Sequence, residues 1–220
     1  MREELKVIAS LIKKNSRVLD IGCGSGDLLK HLKDHKNIAT RGIEIKPDLV
    51  SKALTKGLAV IQGDADNDIR NYPANSFDYA ILSQTLQATK YPNLILKELQ
   101  RIAKYVIVSV PNFGYIENRL HLAIKGKMPV TKTLAYEWYN TPNIHFCTIK
   151  DFIKLAHKLD FTIEKQFFIN DEVKFLPPMK NQMFLANLLA KNGIFLLKRG
   201  LTIPSNKPLC NIPKEAFNLT

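Results

Sequence analysis

The sequence predicts an α/β protein built on a mostly parallel sheet with helices on both faces. Two observations carry this. Short apolar, β-branched runs alternate with stretches of helical spacing through the first half of the chain. The first of those runs also ends in a glycine cluster that opens a helix. Strands and helices alternating at this pitch form βαβ units, which bind ligands beyond the C-terminal ends of the strands where strand order reverses.

The elements follow in order. Residues 3–14 place Leu5, Ile8, Ala9, Leu11 and Ile12 at helical spacing, which predicts a leading helix. Arg17 to Ile21 is a short buried strand, and helical spacing resumes with Leu28, Leu29 and Leu32. Residues 38–45 form a second strand, followed by Pro47 in a first helical turn, where a missing N–H is tolerated. Leu58 to Ile61 is a third strand and Phe77 to Leu82 a fourth. Pro92 opens a helix over 92–103, and Tyr105 to Val110 is a strand stopped by Pro111. Residues 111–147 break the rhythm; rich in Asn, Pro and aromatics, they form an elaboration over the ligand edge. A helix near 149–159 and a strand near 161–169 restore regular structure. Asn187 to Arg199 gives a last helical turn, a break at Gly193 and a strand. The final stretch, 201–220, holds three prolines and little pattern, which predicts a loosely ordered tail behind one domain over 1–200.

Composition narrows the function classes. At 45% hydrophobic, 220 residues supply a sizeable core, which excludes disorder and a stapled mini-protein. No apolar run is long enough for a membrane span, and Met1-Arg2-Glu3-Glu4 is no secretory leader. Cys23, Cys147 and Cys210 form no CxxC pair, which points to a reducing cytoplasm rather than to disulfides or structural zinc. His31 and His35 share a helix face but lack a third ligand nearby, so no metal is expected. The net charge of +12 invites nucleic acid. Its spread argues otherwise: +5 lies in residues 1–110 and +7 in 111–220, with no basic run beyond two residues. Lysines number 25 against 7 arginines, the usual readers of guanine and phosphate, so the charge is assigned to a solvated surface.

The strongest signal is Asp20-Ile21-Gly22-Cys23-Gly24-Ser25-Gly26, between a strand and a helix. A dinucleotide loop starting at Gly22 needs glycine at 27, where this chain has Asp27, a carboxylate that repels pyrophosphate at a helix N-terminus. The Walker Lys-Ser/Thr is also missing. DxGxGxG is instead the loop of S-adenosylmethionine (SAM) methyltransferases, whose ligand brings a sulfonium, an ammonium and one carboxylate. Asp20 then faces the cationic methionine end, and the loop amides its carboxylate. Glu44, 24 residues on at the end of the second strand, suits the ribose hydroxyls. Asp64, after the third strand, suits the adenine amino group, and Ser83-Gln84 ends the fourth strand beneath the cofactor. The expected contacts to SAM or S-adenosylhomocysteine are therefore Asp20, Gly22, Cys23, Gly24, Gly26, Glu44, Ile45, Asp64, Ala65, Ser83 and Gln84.

Further segments are more distinctive. Val60-Ile61-Gln62-Gly63-Asp64, Phe77-Asp78-Tyr79-Ala80-Ile81-Leu82-Ser83-Gln84-Thr85-Leu86-Gln87-Ala88-Thr89, Ser109-Val110-Pro111-Asn112-Phe113-Gly114, Gly126-Lys127-Met128-Pro129-Val130-Thr131-Lys132 and Tyr136-Glu137-Trp138-Tyr139-Asn140-Thr141-Pro142-Asn143-Ile144-His145 accompany the loop. Together they resemble the methionine biosynthesis protein MetW family, densely over about 5–165 and loosely over 185–199. The chain departs from the pattern at Asn67 and Asp68 and beyond Leu201. The resemblance implies a Rossmann-like class I methyltransferase fold, with a seven-stranded sheet whose last strand is antiparallel. It also implies a role in methionine biosynthesis beside a homoserine O-acyltransferase of the MetX type, and names no methyl acceptor.

The elaboration holds Tyr136 and His145, the candidate catalytic residues on the acceptor side; His145 is either a general base or a hydrogen-bonded structural histidine. Its aromatics line a small-molecule pocket, face a partner subunit, or pack on one another. Other chemistries are absent. The place of the Asp/Asn-Pro-Pro-aromatic motif of DNA amino-methylases holds Ser83-Gln84-Thr85-Leu86. No Pro-Cys nucleophile serves cytosine C5 methylation, and no Gly-x-Ser-x-Gly elbow makes this chain an acyltransferase. A free-standing methyltransferase acting on a small metabolite is the alternative.

Overall fold

A computed structural model describes residues 1–131, 134–170 and 182–200. Seven strands form one sheet: β1 (Arg17–Ile21), β2 (Ala39–Glu44), β3 (Val60–Gln62), β4 (Phe77–Ser83), β5 (Ala103–Pro111), β6 (Phe161–Ile169) and β7 (Asn192–Arg199). Their order is β3-β2-β1-β4-β5-β7-β6. All pairs from β3 to β5 are parallel, and β7 runs antiparallel to both its neighbours. The seven-stranded sheet with an antiparallel last strand is thus observed. Strand order reverses between β1 and β4, where Ile21 registers with Ile43 on one side and Leu82 on the other. That register brings the ends of β1, β2 and β4 to one crevice.

Helices cover both faces, so strand interiors are apolar on both sides rather than alternating with polar residues. On one face, Leu5 and Ile8 of α1 (Glu3–Leu11) and Leu28 and Leu32 of α2 (Asp27–Lys36) pack on Val18, Ile81, Ile107 and Ile194. A smaller cluster gathers Leu29 of α2, Val50 and Ala53 of α3 (Pro47–Thr55), Leu58 and Val60. The short α4 (Ala65–Asp68) and a 3-10 turn over Ile69–Asn71 follow β3. On the other face, Leu96 and Leu99 of α5 (Pro92–Ile102) meet Leu19, Leu82 and Val108. The remaining helices are α6 (Ile116–Lys125), α7 (Ile149–Lys158) and α8 (Gln182–Leu189). Phe152 of α7 belongs to that second core and packs on Phe195 with ring centroids 4.6 Å apart. Burying each such Leu or Phe stabilises the fold by about 1.5–3 kcal/mol.

Several boundaries differ from the sequence expectation. α1 stops at Leu11 because Ile12 turns to extended backbone and buries its side chain under the helix instead of prolonging it. The third strand is shifted to Val60–Gln62, since Leu58 is taken by the packing against Gly26. The elaboration contains α6, whose only buried residue is Asn118; Ile116, Leu120, Ala123 and Ile124 recur at helical spacing, yet Leu120 and Ile124 face outward rather than into the core. Gly193 is no break. It lies within β7, paired with Val110 and Phe168, and a Cβ there would stand 2.8 Å from the Phe195 ring. The expected tail, 201–220, lies outside the described residues. Among the described residues no helix is long and apolar enough to cross a membrane.

Candidate functional site

The glycine loop leaves β1 with three left-handed residues: Gly22 at φ +71°, Gly24 at +58° and Gly26 at +76°. The Gly22 and Cys23 N–H groups donate to the Ile43 carbonyl at 2.8 and 3.2 Å, which ties the loop to β2. A Cβ on Gly22 would stand 2.5 Å from Thr85 Oγ1, and one on Gly26 2.4 Å from Leu58 Cδ1. Gly24 differs: nothing lies within 4 Å of where its Cβ would be, so its backbone is open to approach.

Two acids stand behind the loop. Asp20 is 3% exposed, and its Oδ1 has no hydrogen-bond partner. Burial, and then the charge of Glu44, push its carboxyl up to about 8. A buried polar atom without a partner is costly, and a cation or donor placed beside it relieves both causes of the shift. Glu44 is also buried; it accepts from the Gly24 N–H at 2.8 Å through Oε2 and from the Lys46 N–H at 3.0 Å through Oε1. A carboxylate offers about four lone-pair sites, so each oxygen retains capacity for one more donor. The Cys23 thiol is pushed far up by burial and by the charges of Asp20 and Glu44, so it is neutral and inert.

Beside the loop lies a cavity of about 110 Å³ lined by Ile21, Gly22, Ile43, Ile45, Gly63, Asp64, Ala65, Asp66, Thr85, Ala88 and Thr89. Of the expected contacts, Gly22, Ile45, Asp64 and Ala65 line it directly. Ile45 is 59% exposed, an apolar side chain held at the mouth by the buried strand behind it. Asp64 caps α4, accepting from the Asp66 N–H and from Asn67 Nδ2, both at 3.0 Å. Its own N–H donates to Asp68 Oδ2 at 2.7 Å, so Asn67 and Asp68 shape this loop. The Asp66 carboxylate accepts from the N–H groups of Lys90 and Tyr91, at 2.9 and 3.2 Å, and so fastens the loop to the start of α5.

Ser83 and Gln84 stand apart from this lining. Their side chains enter a polar cluster with Glu4 of α1, at 3.2 Å from Ser83 Oγ and 3.3 Å from Gln84 Nε2. His145 reaches the turn over Leu86–Ala88 from outside. Its N–H donates to the Gln87 carbonyl at 3.0 Å, and its Nε2 lies 3.2 Å from the Lys90 carbonyl. A carbonyl only accepts, so Nε2 is the donor in that contact. Tyr136 is 49% exposed and does not line the cavity. The expected contacts did not include Asp66, Thr85, Ala88 or Thr89; Asp66 directly follows Asp64-Ala65 and Thr85 directly follows Ser83-Gln84, so adjacency could have flagged both. Chemically, the crevice offers acceptors for a pair of hydroxyls at Glu44, an unsatisfied buried acid at Asp20, and an apolar plate at Ile45.

Comparison with known proteins agrees with this geometry. A SAM-dependent methyltransferase of Thermotoga maritima superimposes with a TM-score of 0.62 over 89% of this chain and 87% of its own, at 20% identity. Ajmaline N-methyltransferase of Rauvolfia serpentina is 21% identical over 86% of this chain and 66% of its own. The bifunctional methionine biosynthesis protein MetXA/MetW of Rhodopirellula baltica is 32% identical over 170 residues. That match takes in 73% of this chain but 27% of the relative, so the chain spans about a quarter of that protein's length. The model of the family described as methionine biosynthesis protein MetW matches residues 2–197. With the loop, the sheet order and that match in agreement, the chain belongs to the methionine biosynthesis protein MetW family.

Proposed function

We propose that this protein binds SAM or S-adenosylhomocysteine and supports a homoserine O-acyltransferase of the MetX type in methionine biosynthesis. The observation that carries the cofactor reading is Asp20, a buried acid with an unpartnered oxygen directly behind the glycine loop. In this reading Glu44 takes the two ribose hydroxyls with its remaining lone pairs, Ile45 meets the face of the sugar and base, and Asp64 with Ala65 meets the adenine edge, which the cavity lining and the Glu44 hydrogen bonds support. Gly24 leaves the space of a side chain open to the ligand while its N–H is held by Glu44, and Gly22 and Gly26 hold the turn. When bound, SAM supplies an electrophilic methyl group; what this chain's residues do is orient it and balance its charge. The partner reading rests on the relative in which MetXA and MetW are named as one bifunctional protein.

Isothermal titration with SAM and S-adenosylhomocysteine tests the pocket, and binding of neither would overturn it. Co-purification with a MetX-type enzyme, and its acyl transfer with and without this chain, test the partnership; equal activity in both would sink it. The second reading is a free-standing methyltransferase acting on a small metabolite, favoured by the likeness to ajmaline N-methyltransferase. In that reading Tyr136 and His145 serve the acceptor, with His145 as its general base. Transfer of labelled methyl from SAM to an extracted metabolite decides between the two.

A further inference from the structure

The turn after β4 forms the wall of the crevice opposite the glycine loop, and it is held by a residue from the far end of the chain. Gln84 has φ +55°, a left-handed conformation that side chains with a Cβ avoid unless their surroundings fix it. Its N–H donates to Ser109, with the carbonyl at 3.2 Å and Oγ at 3.0 Å. Its carbonyl accepts from Gln87 Nε2 at 2.8 Å, and its side-chain amide donates to Asn192 Oδ1 at 3.3 Å and to Glu4 Oε1 at 3.3 Å. The Ser109 hydroxyl, while accepting from Gln84, donates to the same Glu4 oxygen, and the Ser83 hydroxyl donates to it at 3.2 Å. Three donors from β4, β5 and the turn thus converge on one carboxylate oxygen of α1, in a side chain only 8% exposed.

The residue after Gln84 is Thr85, which lines the cavity and stands where any Cβ on Gly22 would be, with its hydroxyl donating to the Ser83 carbonyl at 3.1 Å. The backbone at position 84 therefore decides where Thr85 meets the glycine loop. We propose that Glu4 is a positioning residue of the cofactor crevice: through Ser109 and Gln84 it fixes the left-handed turn that sets Thr85 against Gly22. The inference rests on the cofactor reading above. It makes α1 part of the binding apparatus, although α1 contributes no residue to the cavity lining.

The test compares S-adenosylhomocysteine binding by titration in the full chain and in Glu4→Ala, Glu4→Gln, Gln84→Gly and Glu4→Ala/Gln84→Gly, each well below its own melting temperature. Glu4→Ala is expected to weaken binding about tenfold and Glu4→Gln roughly threefold. Glycine takes a positive φ without being held there, so Gln84→Gly in the Glu4→Ala background is expected to recover most of the loss. A purely structural Glu4 would lower the melting temperature of the alanine variant and leave affinity unchanged; that result overturns the inference, as does a loss that Gln84→Gly leaves untouched. Should Glu4→Ala fail to fold, Glu4→Gln with unaltered affinity overturns it equally. If the unsubstituted chain binds no S-adenosylhomocysteine, the cofactor reading fails and takes this inference with it. Binding by the unsubstituted chain with equal binding by the variants removes this inference alone.

Discussion

The crevice at the ends of β1, β2 and β4 gathers acids and glycines, the elaboration over 111–147 gathers aromatics and amides, and the structure treats the two oppositely. At the crevice, Asp20 and Glu44 are buried, and strand register and left-handed glycines hold their surroundings in place. In the elaboration, Ile124 is 78% exposed, Trp138 70% and Tyr139 69%, and the Trp138 ring meets Tyr139 edge-on at 5.7 Å. Density of interesting side chains does not make a pocket; attachment to the ends of buried strands does. Exposed apolar surface of this kind instead suits contact with another protein.

Asp20→Ala gives the largest effect on the crevice side: SAM affinity is expected to fall about 10- to 100-fold, the worth of a hydrogen bond or ion pair to a buried charge. Titration calorimetry reads it, and unchanged affinity would detach Asp20 from the ligand. Asp20 also carries a pH signature. Its folded-state pKa is raised from 3.8 to about 8, so between those values the native state binds a proton that the unfolded state has released. Its contribution to stability therefore declines as pH rises from about 4 to about 8. Urea titrations at several pH values should show this decline, and Asp20→Asn should flatten it.

On stability rather than affinity the largest effect belongs to Gly22→Val, because it meets both an unfavourable φ and the Thr85 hydroxyl. A loss of about 2–4 kcal/mol is expected in denaturant unfolding, against almost none for Gly57→Ala beyond its left-handed penalty of about 1 kcal/mol, since Gly57 has open space around it. The elaboration should behave in reverse. Replacing Trp138 and Tyr139 with alanine should leave S-adenosylhomocysteine affinity within about twofold and stability within about 1 kcal/mol, while reducing the co-purification with a MetX-type enzyme that the proposed function expects. Retained co-purification would move the docking surface elsewhere. The smallest effect belongs to His145→Ala, whose ring contact with the Lys90 carbonyl is exposed and worth about 0.5–1 kcal/mol of stability. Cofactor affinity should stay the same. Loss of a measured methyl transfer would instead promote His145 to the acceptor side.

Much of the crevice was legible because its parts are local. The run from Asp20 to Gly26 is one strand end, one turn and one helix start, and Glu44 closes the very next strand. Glu4, Asp66 and Thr85 were not legible as a group, because their roles arise from register and docking. Glu4 meets Ser109 across a sequence separation of 105, and Thr85 is defined by a glycine more than sixty residues earlier. Gly193 illustrates the same limit. A Cβ there would meet the Phe195 ring, two residues on in the same strand, and Ile149 of α7, a neighbour that exists only once the strand has docked.

By itself, the sequence determined the sheet-and-helix alternation, the glycine loop and the acids at consecutive strand ends, because periodicity and turn chemistry act over a few residues. Tertiary structure alone decided which polar groups are buried without partners, which face outward, and how the leading helix reaches the turn after β4. Burial and hydrogen-bond satisfaction depend on what distant segments bring together, and no local spacing encodes that.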